Sequence, residues 1–178
     1  LDEVGISNGQ IIMVHSDLTR IGWVTNAKSR TDVLDFYFKS LLKQVGAEGT
    51  LVVLTCTESF ARDNVPFNYE QSPSEQGVLS EFIRNKNGSI RSMHPLFSVA
   101  AYGAKSQCIC GSGICNTGFG YGSPFQNIKF AKKQNKHILF DIDWKGARKI
   151  RSNYKKEDII DFFILPPTKL ELKRRLIK

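Results

Sequence analysis

The sequence lacks long hydrophobic runs. None of its apolar stretches approaches the roughly 20 residues that a membrane-spanning helix needs. The first residues, LDEVGISNGQ, lack the basic start and apolar centre of a secretion signal. We therefore expect a cytoplasmic protein with no membrane partner. The 178 residues, 41% of them hydrophobic, suffice for one globular domain with a buried core.

Cysteine is also scarce. Three of the four cysteines lie in the segment CICGSGIC, residues 108–115, and no histidine stands near them. Structural zinc sites usually have four ligands at defined spacing, which this segment does not offer. We therefore expect reduced thiols and no bound metal.

Positive charge is scarce in the first two thirds of the chain. Residues 1–125 carry 10 Lys and Arg against 11 Asp and Glu, whereas residues 126–178 carry 15 against 6. A basic surface can bind nucleic acid, an acidic membrane or a phosphate-bearing cofactor. Because no recognisable nucleic-acid module accompanies it, we expect no nucleic-acid partner, and favour a solvated lysine-rich face or a cofactor contact.

Alternating strand and helix patterns predict an α/β fold. QIIMVH has the length of a strand, and the segment from Ser29 to Gly46 has cap candidates, helical apolar spacing and a glycine stop. TLVVLTCT is a continuous β-branched run, typical of a strand covered on both faces. Further strands are predicted in SVAAYG and HILFDI. We expect a mixed, largely parallel sheet flanked by helices, in a single domain of residues 1–178.

Polar residues follow the first two predicted strands. VHSDL comes after the first and LTCTES after the second. Ligands of open α/β sheets bind beyond the carboxyl ends of the strands, so His15, Ser16, Thr55 and Thr57 are expected near one another. His15 by itself is more often a structural histidine.

The motifs together resemble the antibiotic acetyltransferases typified by aminoglycoside 3-N-acetyltransferases, which are unrelated to the GNAT fold. The matching stretches are MVHSDLTRIGWV, VGAEGTLVVLTCT, GVLSEFIRNKNGSIRSMHPLFSVAAYGAK and GYGSPFQNI, in that order. The resemblance implies the fold of that family and direct acyl transfer from acetyl-CoA to an amine. In such a reaction backbone N–H groups hold the oxyanion.

The resemblance also implies a set of site residues. The turn after the first strand is expected to hold the pantetheine arm of acetyl-CoA, with the RSMHP segment and the Ser123 turn on the same cleft. The residues expected to bind the cofactor are His15, Ser16, Asp17, Leu18, Thr55, Arg91, Ser92 and Ser123, and those expected to bind substrate are Glu81 and His94.

Three of these assignments have alternatives in the sequence. Arg91 either meets a cofactor phosphate or forms an ion pair with Glu81 or another carboxylate. His94 either acts in the site or has a capping or packing role before Pro95. The polar stretch after the second strand, with four acidic residues, either attracts a polycationic substrate or is simply solvated.

The family pattern stops after Phe140. There the family continues into a Thr-x-x-His-x-x-Glu-like stretch whose histidine is the base and whose glutamate orients it. This sequence reads DIDWKGARKIRSNYKK instead, and none of its three histidines lies in that position. The catalytic residues are therefore unknown, and we predict that a segment is missing near residues 140–146.

The favoured interpretation is an acetyl-CoA-dependent N-acetyltransferase acting on an aminoglycoside or another amino sugar. One alternative is a nucleotide-sugar N-acetyltransferase of surface-polysaccharide biosynthesis, and another is a non-catalytic relative that binds CoA. A nucleic-acid binder is the least favoured. The expected partners are CoA, a small-molecule amine and a second copy of the chain in a homodimer.

Overall fold

The computed structural model describes residues 5–18, 24–111, 113, 117–132, 148 and 151–152. The chain divides into two compact units, Leu1–Asp141 and Ile142–Lys178, and the fold given below belongs to the first. The predicted strand HILFDI and the predicted missing segment near residues 140–146 lie outside the described residues. The single-domain assignment therefore stays a prediction.

Strands and helices alternate along the described residues. Their order is β1 (Ile11–Val14), α1 (Arg30–Val45), β2 (Thr50–Leu54), α2 (Ser59–Arg62), α3 (Val78–Arg84), β3 (Ile90–Arg91), β4 (Val99–Gly103), α4 (Ser106–Cys110) and α5 (Pro124–Lys132). Within the described ranges, no helix is both long enough and apolar enough to cross a membrane.

The four described strands form one mixed sheet in the order β1-β2-β4-β3. β1 and β2 are parallel, as expected for strands joined through a helix, whereas β4 is antiparallel to both β2 and β3. The α/β class and the mixed sheet are confirmed. Among the described strands, however, only the β1–β2 pair is parallel, whereas we expected most pairs to be parallel. The reason is that β3 returns into β4 through a short loop, which suits antiparallel strands, and no crossover helix intervenes.

The sheet is covered on both faces, as the continuous apolar run of β2 predicted. Leu51 and Val53 point into a core shared with α1 and α3, which includes Phe38 and Ile83. Val52 points into the opposite core, which is shared with α4 and α5. Successive strand residues face opposite sides of a sheet. Because both faces of the sheet are covered, the residues of β2 are buried or half-buried whichever side they face.

Helix α1 begins and ends at the residues that the sequence indicated. Ser29 accepts a hydrogen bond from the Asp32 N–H, and the Asp32 carboxylate accepts one from the Ser29 N–H, which is a capping box. Gly46 ends the helix at φ 67°, a conformation that glycine adopts without strain. Because α1 links β1 to β2 and the two strands pair in parallel, both carboxyl ends lie at one edge of the sheet.

Candidate active site

The candidate site is the edge of the sheet where β1 and β2 end and β4 begins. Thr55, directly after β2, donates its N–H to the Ser98 carbonyl oxygen, directly before β4, at 2.9 Å. The turn after β1 meets the start of α3, because a Cβ on Gly77 would lie 3.3 Å from the Ser16 carbonyl oxygen. Three separate segments therefore converge on this edge.

Among the residues predicted to bind the cofactor, those of the 15–18 turn have the most accessible side chains. His15 and Asp17 are exposed, and Ser16 and Leu18 are half-buried. Since this turn follows a parallel strand, its side chains lie where ligands of open α/β sheets bind. Leu18 also packs against the core that contains Phe38, and contact of these four residues with a cofactor stays a prediction.

Buried hydroxyl groups join the other strand ends. The Thr55 hydroxyl donates to the Ser98 hydroxyl at 3.0 Å, and Ser98 donates to the Thr55 carbonyl oxygen at 2.7 Å. The Ser92 hydroxyl accepts the Val99 N–H at 3.0 Å. Thr55 and Ser98 are fully buried, and Ser92 is nearly so. The Thr55 and Ser92 hydroxyls thus form hydrogen bonds within the protein, and these bonds stabilise the edge of the sheet.

Arg91 lies inside the protein at the same edge, with only 5% of its surface exposed. Its guanidinium donates to the Ser72 and Thr55 carbonyl oxygens, each at 2.6 Å. The sequence alternative of an ion pair with Glu81 is wrong, because Glu81 pairs with Arg84 at 2.6 Å and every recorded acceptor of Arg91 is neutral. Contact of Arg91 with a cofactor phosphate stays a prediction, and it would require some of these internal bonds to break.

Glu81 connects α3 to the polar stretch after β2. Its carboxylate accepts the Ser74 N–H at 2.7 Å and also binds Arg84 and Asn85. Burial alone would raise the pKa of Glu81, but the hydrogen bonds from Arg84, Ser74 and Asn85 outweigh it and hold the pKa below its ordinary 4.5. Substrate contact by Glu81 stays a prediction, since the structure shows the carboxylate bound to protein donors.

We expect Glu81→Gln to lower the free energy of unfolding by about 1 kcal/mol at pH 7, because it removes charge-assisted hydrogen bonds from a partly exposed group. A lowered carboxylate pKa stabilises the folded state above the unfolded pKa, and this contribution is lost as the pH falls through the folded value. Urea unfolding at pH 7 and below pH 4.5 should therefore show the difference shrinking in acid. Glu70→Gln, at an exposed position, is the control, and a pH-independent difference would contradict the prediction.

His94 is held by backbone donors in the turn that leads into β4. Its Nδ1 accepts the N–H groups of Leu96 at 3.2 Å and Phe97 at 3.1 Å, so the ring proton lies on Nε2. Burial lowers the pKa of His94, which favours this neutral form. In this tautomer Nε2 carries the proton, and the Nδ1 lone pair is engaged by the two backbone N–H groups. These contacts agree with the alternative in which His94 caps the backbone of its own turn. Contact of His94 with substrate stays a prediction.

Ser123 is fully buried and starts α5, as the sequence indicated. Its hydroxyl accepts the Gln126 N–H at 3.2 Å, so it acts as a helix cap. A chain of tilted, contacting rings links this turn to His94. The rings of His94, Phe97, Phe119 and Phe125 follow one another at centroid distances of 5.2, 5.1 and 4.9 Å.

The polar stretch of residues 58–76, called here the 58–76 loop, is anchored along its length. Thr57 donates its hydroxyl to the Pro73 carbonyl oxygen at 2.8 Å, and Tyr69 donates its hydroxyl to the Arg91 carbonyl oxygen at 2.7 Å. Arg84 donates to the Glu70 carbonyl oxygen at 2.8 Å. The loop therefore forms a fixed wall of the site and carries four acidic residues against one arginine.

The described residues offer no group of three histidine, cysteine, aspartate or glutamate side chains that could hold a metal ion. Cys56, Cys108 and Cys110 are free thiols. Burial raises the pKa of the Cys110 thiol to about 12, so it stays protonated at neutral pH. Cys110 therefore has the properties of a small apolar core residue.

Comparison with known proteins assigns the family. A family model described as aminoglycoside 3-N-acetyltransferase matches residues 13–145, well over half of the chain. The chain belongs to the aminoglycoside 3-N-acetyltransferase family. The resemblance drawn from the sequence motifs is thereby confirmed.

Solved aminoglycoside acetyltransferases share the fold. The structure described as AAC-IIIb binary with CoASH is 29% identical, with a TM-score of 0.62, over 74% of this chain and 53% of that chain. AAC(3)-IVa is 24% identical, with a TM-score of 0.60, over 72% of this chain and 47% of its own. This member of the family thus spans about half the length of these neighbours.

A second likeness is to bacterial guanylate kinases. The enzyme of Cereibacter sphaeroides is 45% identical over 56 residues, which are 32% of this chain and 26% of that protein. The enzyme of Malacoplasma penetrans is 39% identical over 56 residues, 29% of its length. The chain spans little more than a quarter of these curated relatives.

Proposed function

We propose that this member of the aminoglycoside 3-N-acetyltransferase family binds acetyl-CoA at the edge formed by β1, β2 and β4. The observation that carries the proposal is the convergence of the 15–18 turn, the Thr55 segment and the Ser92 segment at one edge. Family membership and the CoA complex of the AAC-IIIb neighbour support it. His15, Ser16, Asp17 and Leu18 contact the pantetheine arm, while Thr55, Ser92 and Ser123 hold the edge in shape.

The reaction that fits this site is direct acyl transfer. The acceptor amine attacks the thioester carbonyl carbon, a C–N bond forms, the C–S bond breaks, and CoA leaves as its thiol. The base that takes the amine proton is not assigned to a described residue; the Nδ1 lone pair of His94 already accepts the Leu96 and Phe97 N–H groups. The oxyanion that forms in this reaction needs N–H donors, and the Thr55, Thr57 and Ser92 N–H groups already bind carbonyl oxygens within the protein.

The charge of the 58–76 loop favours a cationic acceptor. Glu58, Asp63, Glu70 and Glu75 are offset by Arg62 alone. An aminoglycoside carries several ammonium groups, which an acidic wall attracts, whereas a nucleotide sugar carries phosphates, which it repels. An aminoglycoside or a related amino sugar is therefore our preferred acceptor, with Glu81 and His94 as the residues nearest to it.

Replacing Ser16 by glutamate is expected to weaken CoA binding at least tenfold, because a carboxylate would stand in the turn that receives the anionic cofactor. Isothermal titration with CoA and acetyl-CoA measures the effect. The matched control is Asn87→Glu, which adds the same charge next to Gly88 and the Tyr102 ring, at the other end of β4. Equal affinities for the two variants would contradict the proposed site.

Thiol release separates the acceptor classes. Free CoA thiol is measured with a kanamycin-type amine and with a nucleotide amino sugar. Faster release with the first supports the preferred acceptor, and faster release with the second supports the polysaccharide alternative. CoA binding without release from any amine supports the non-catalytic relative.

The guanylate-kinase likeness supports a second candidate function, binding of a guanine mononucleotide. The basic residues 126–178 would complement its phosphate. Phosphoryl transfer is not proposed, because the 178 residues contain no G-x-x-x-x-G-K-[ST] phosphate loop. Thermal shift with GMP tests this candidate, and AMP is the control because CoA also contains an adenine nucleotide. An equal shift with both nucleotides would reject it.

The expected setting follows from the acetyltransferase function. We propose a cytoplasmic enzyme, where acetyl-CoA is available, and a homodimer as its assembly. Sedimentation velocity gives the mass of the particle, and a monomer at micromolar concentration would contradict the assembly.

A further inference from the structure

The Arg91 side chain joins three segments of the edge. One terminal nitrogen, Nη1, donates to the carbonyl oxygens of Tyr69 at 3.2 Å and Ser72 at 2.6 Å, both in the 58–76 loop. The other, Nη2, donates to the Thr55 carbonyl oxygen at 2.6 Å and the Thr57 hydroxyl at 3.0 Å, both after β2. The Arg91 backbone belongs to β3. One guanidinium thus connects the loop to two strands.

Among the described residues, no carboxylate accepts a hydrogen bond from this buried cation. Burial makes its charge costly and, together with the nearby Arg84, lowers its pKa to about 10 against the opposing effect of the Glu81 charge, which still leaves it charged at neutral pH. Charge-assisted hydrogen bonds to carbonyl oxygens and the Phe67 ring, 5.0 Å from the guanidinium carbon, offset that cost. Its Nε is buried and has no hydrogen-bond partner within the described part of the chain.

The geometry explains why arginine stands here. The guanidinium is planar and presents its donors in a fixed fork, so two nitrogens reach acceptors on opposite sides at once. A lysine ammonium concentrates its donors at one point and cannot satisfy the loop and the end of β2 together. The residue is suited to fixing the loop at a set distance from the sheet.

The position of the 58–76 loop also determines the turn proposed to hold the cofactor. Near the end of the loop, the Ser74 N–H donates to the Glu81 carboxylate at 2.7 Å, and Gly77 directly follows the loop. Gly77 lies against the Ser16 carbonyl oxygen at φ 102°, in a conformation that favours glycine. A shift of the loop is therefore transmitted through Gly77 to the 15–18 turn.

We propose that Arg91 is a positioning residue that fixes the 58–76 loop against the carboxyl end of β2 and thereby shapes the 15–18 turn for its ligand. The consequence for ligand binding rests on the proposed function. The claim that Arg91 fixes the position of the loop does not rest on the proposed function, so the two claims are tested by separate measurements.

The test compares Arg91→Lys and Arg91→Ala with Arg62→Lys. Arg62 is an exposed arginine of the same loop, and its guanidinium binds the neighbouring Asp63. The first readout is hydrogen exchange of the 58–76 amides, together with chymotrypsin cleavage after Phe67 and Tyr69. The second readout is CoA affinity by calorimetry.

For Arg91→Lys we expect loop exchange to rise at least tenfold with core exchange in β2 and β4 little changed, and CoA affinity to fall about tenfold. For Arg91→Ala we expect added guanidinium ion to restore part of the loop protection and part of the affinity. Arg62→Lys should match the parent protein in both readouts.

Three outcomes would overturn the proposal. They are unchanged loop exchange in Arg91→Lys, an equal rise in every core amide, and a loosened loop with unchanged CoA affinity. If Arg91→Ala does not fold, Arg91→Lys decides. Failure of the parent protein to bind CoA would refute the proposed function, while loop exchange would still decide the role of Arg91.

Discussion

Gly103→Ala is expected to destabilise the protein by about 3–5 kcal/mol, a large part of the stability of a typical domain. Gly103 ends β4 at φ 128°, where residues with a Cβ are strained by about 1–3 kcal/mol. A Cβ there would also overlap the Gly49 carbonyl oxygen and lie 2.9 Å from the Thr50 Cα. The overlap involves backbone, so no flexible side chain can move aside to relieve it. Urea unfolding followed by circular dichroism measures the loss.

The control for this substitution is Gly88→Ala. Gly88 also has a positive φ, 88°, but a Cβ there would meet only the Tyr102 ring at 3.7 Å, an ordinary contact. It should cost about 1–2 kcal/mol from backbone strain alone. Equal losses at the two glycines would show that the close approach of β4 to the start of β2 is not what requires Gly103.

The sequence predicts elements best where one local signal is complete. Helix α1 has its capping residue, its apolar spacing and its glycine end, and all three appear in the structure. Strand β2 has a continuous apolar run, which its burial on both faces explains. The direction of β4 has no such local signal, because it depends on which neighbour the strand joins, and that is a long-range choice.

The sequence predicts at which edge of the sheet the candidate site lies, but it does not predict the role of each side chain. The edge motifs predicted Ser16 and Thr55 at the ends of two strands, and the structure has them just after β1 and β2; their role in a site stays a prediction. Whether a hydroxyl faces a ligand or closes an internal network depends on the segment opposite it. Thr55 is buried because Ser98, directly before β4, lies beside it, and that pairing is not visible in sequence.

Arg91 shows the same limit for charged residues. In sequence, an arginine at the lip of a strand suggests a phosphate contact or an ion pair. The structure instead surrounds it with carbonyl and hydroxyl oxygens of the 58–76 loop and of the segment directly after β2. Backbone carbonyls carry no residue-type signature, so a site in which they are the main acceptors cannot be inferred from residue identity.

Ile83→Ala is expected to cost about 3–4 kcal/mol, because it empties the centre of the core between α3, α1 and the sheet. Ile83 is fully buried and belongs to the cluster that contains Phe38 and Leu51. The same helix carries Glu81 and begins directly after Gly77, so its packing also supports the proposed cofactor turn. We therefore expect weaker CoA binding in the same variant at temperatures where it remains folded.

Val78→Ala is the matched control for Ile83→Ala, since Val78 lies on the same helix with 53% of its surface exposed. Removing its methyl groups should change the free energy of unfolding by no more than about 0.5 kcal/mol. Thermal and urea unfolding of both variants give the comparison. A small loss at Ile83 would mean that α3 is held mainly by Glu81 and its hydrogen bonds, and not by the core; the effect of Glu81→Gln would then have to be the larger of the two.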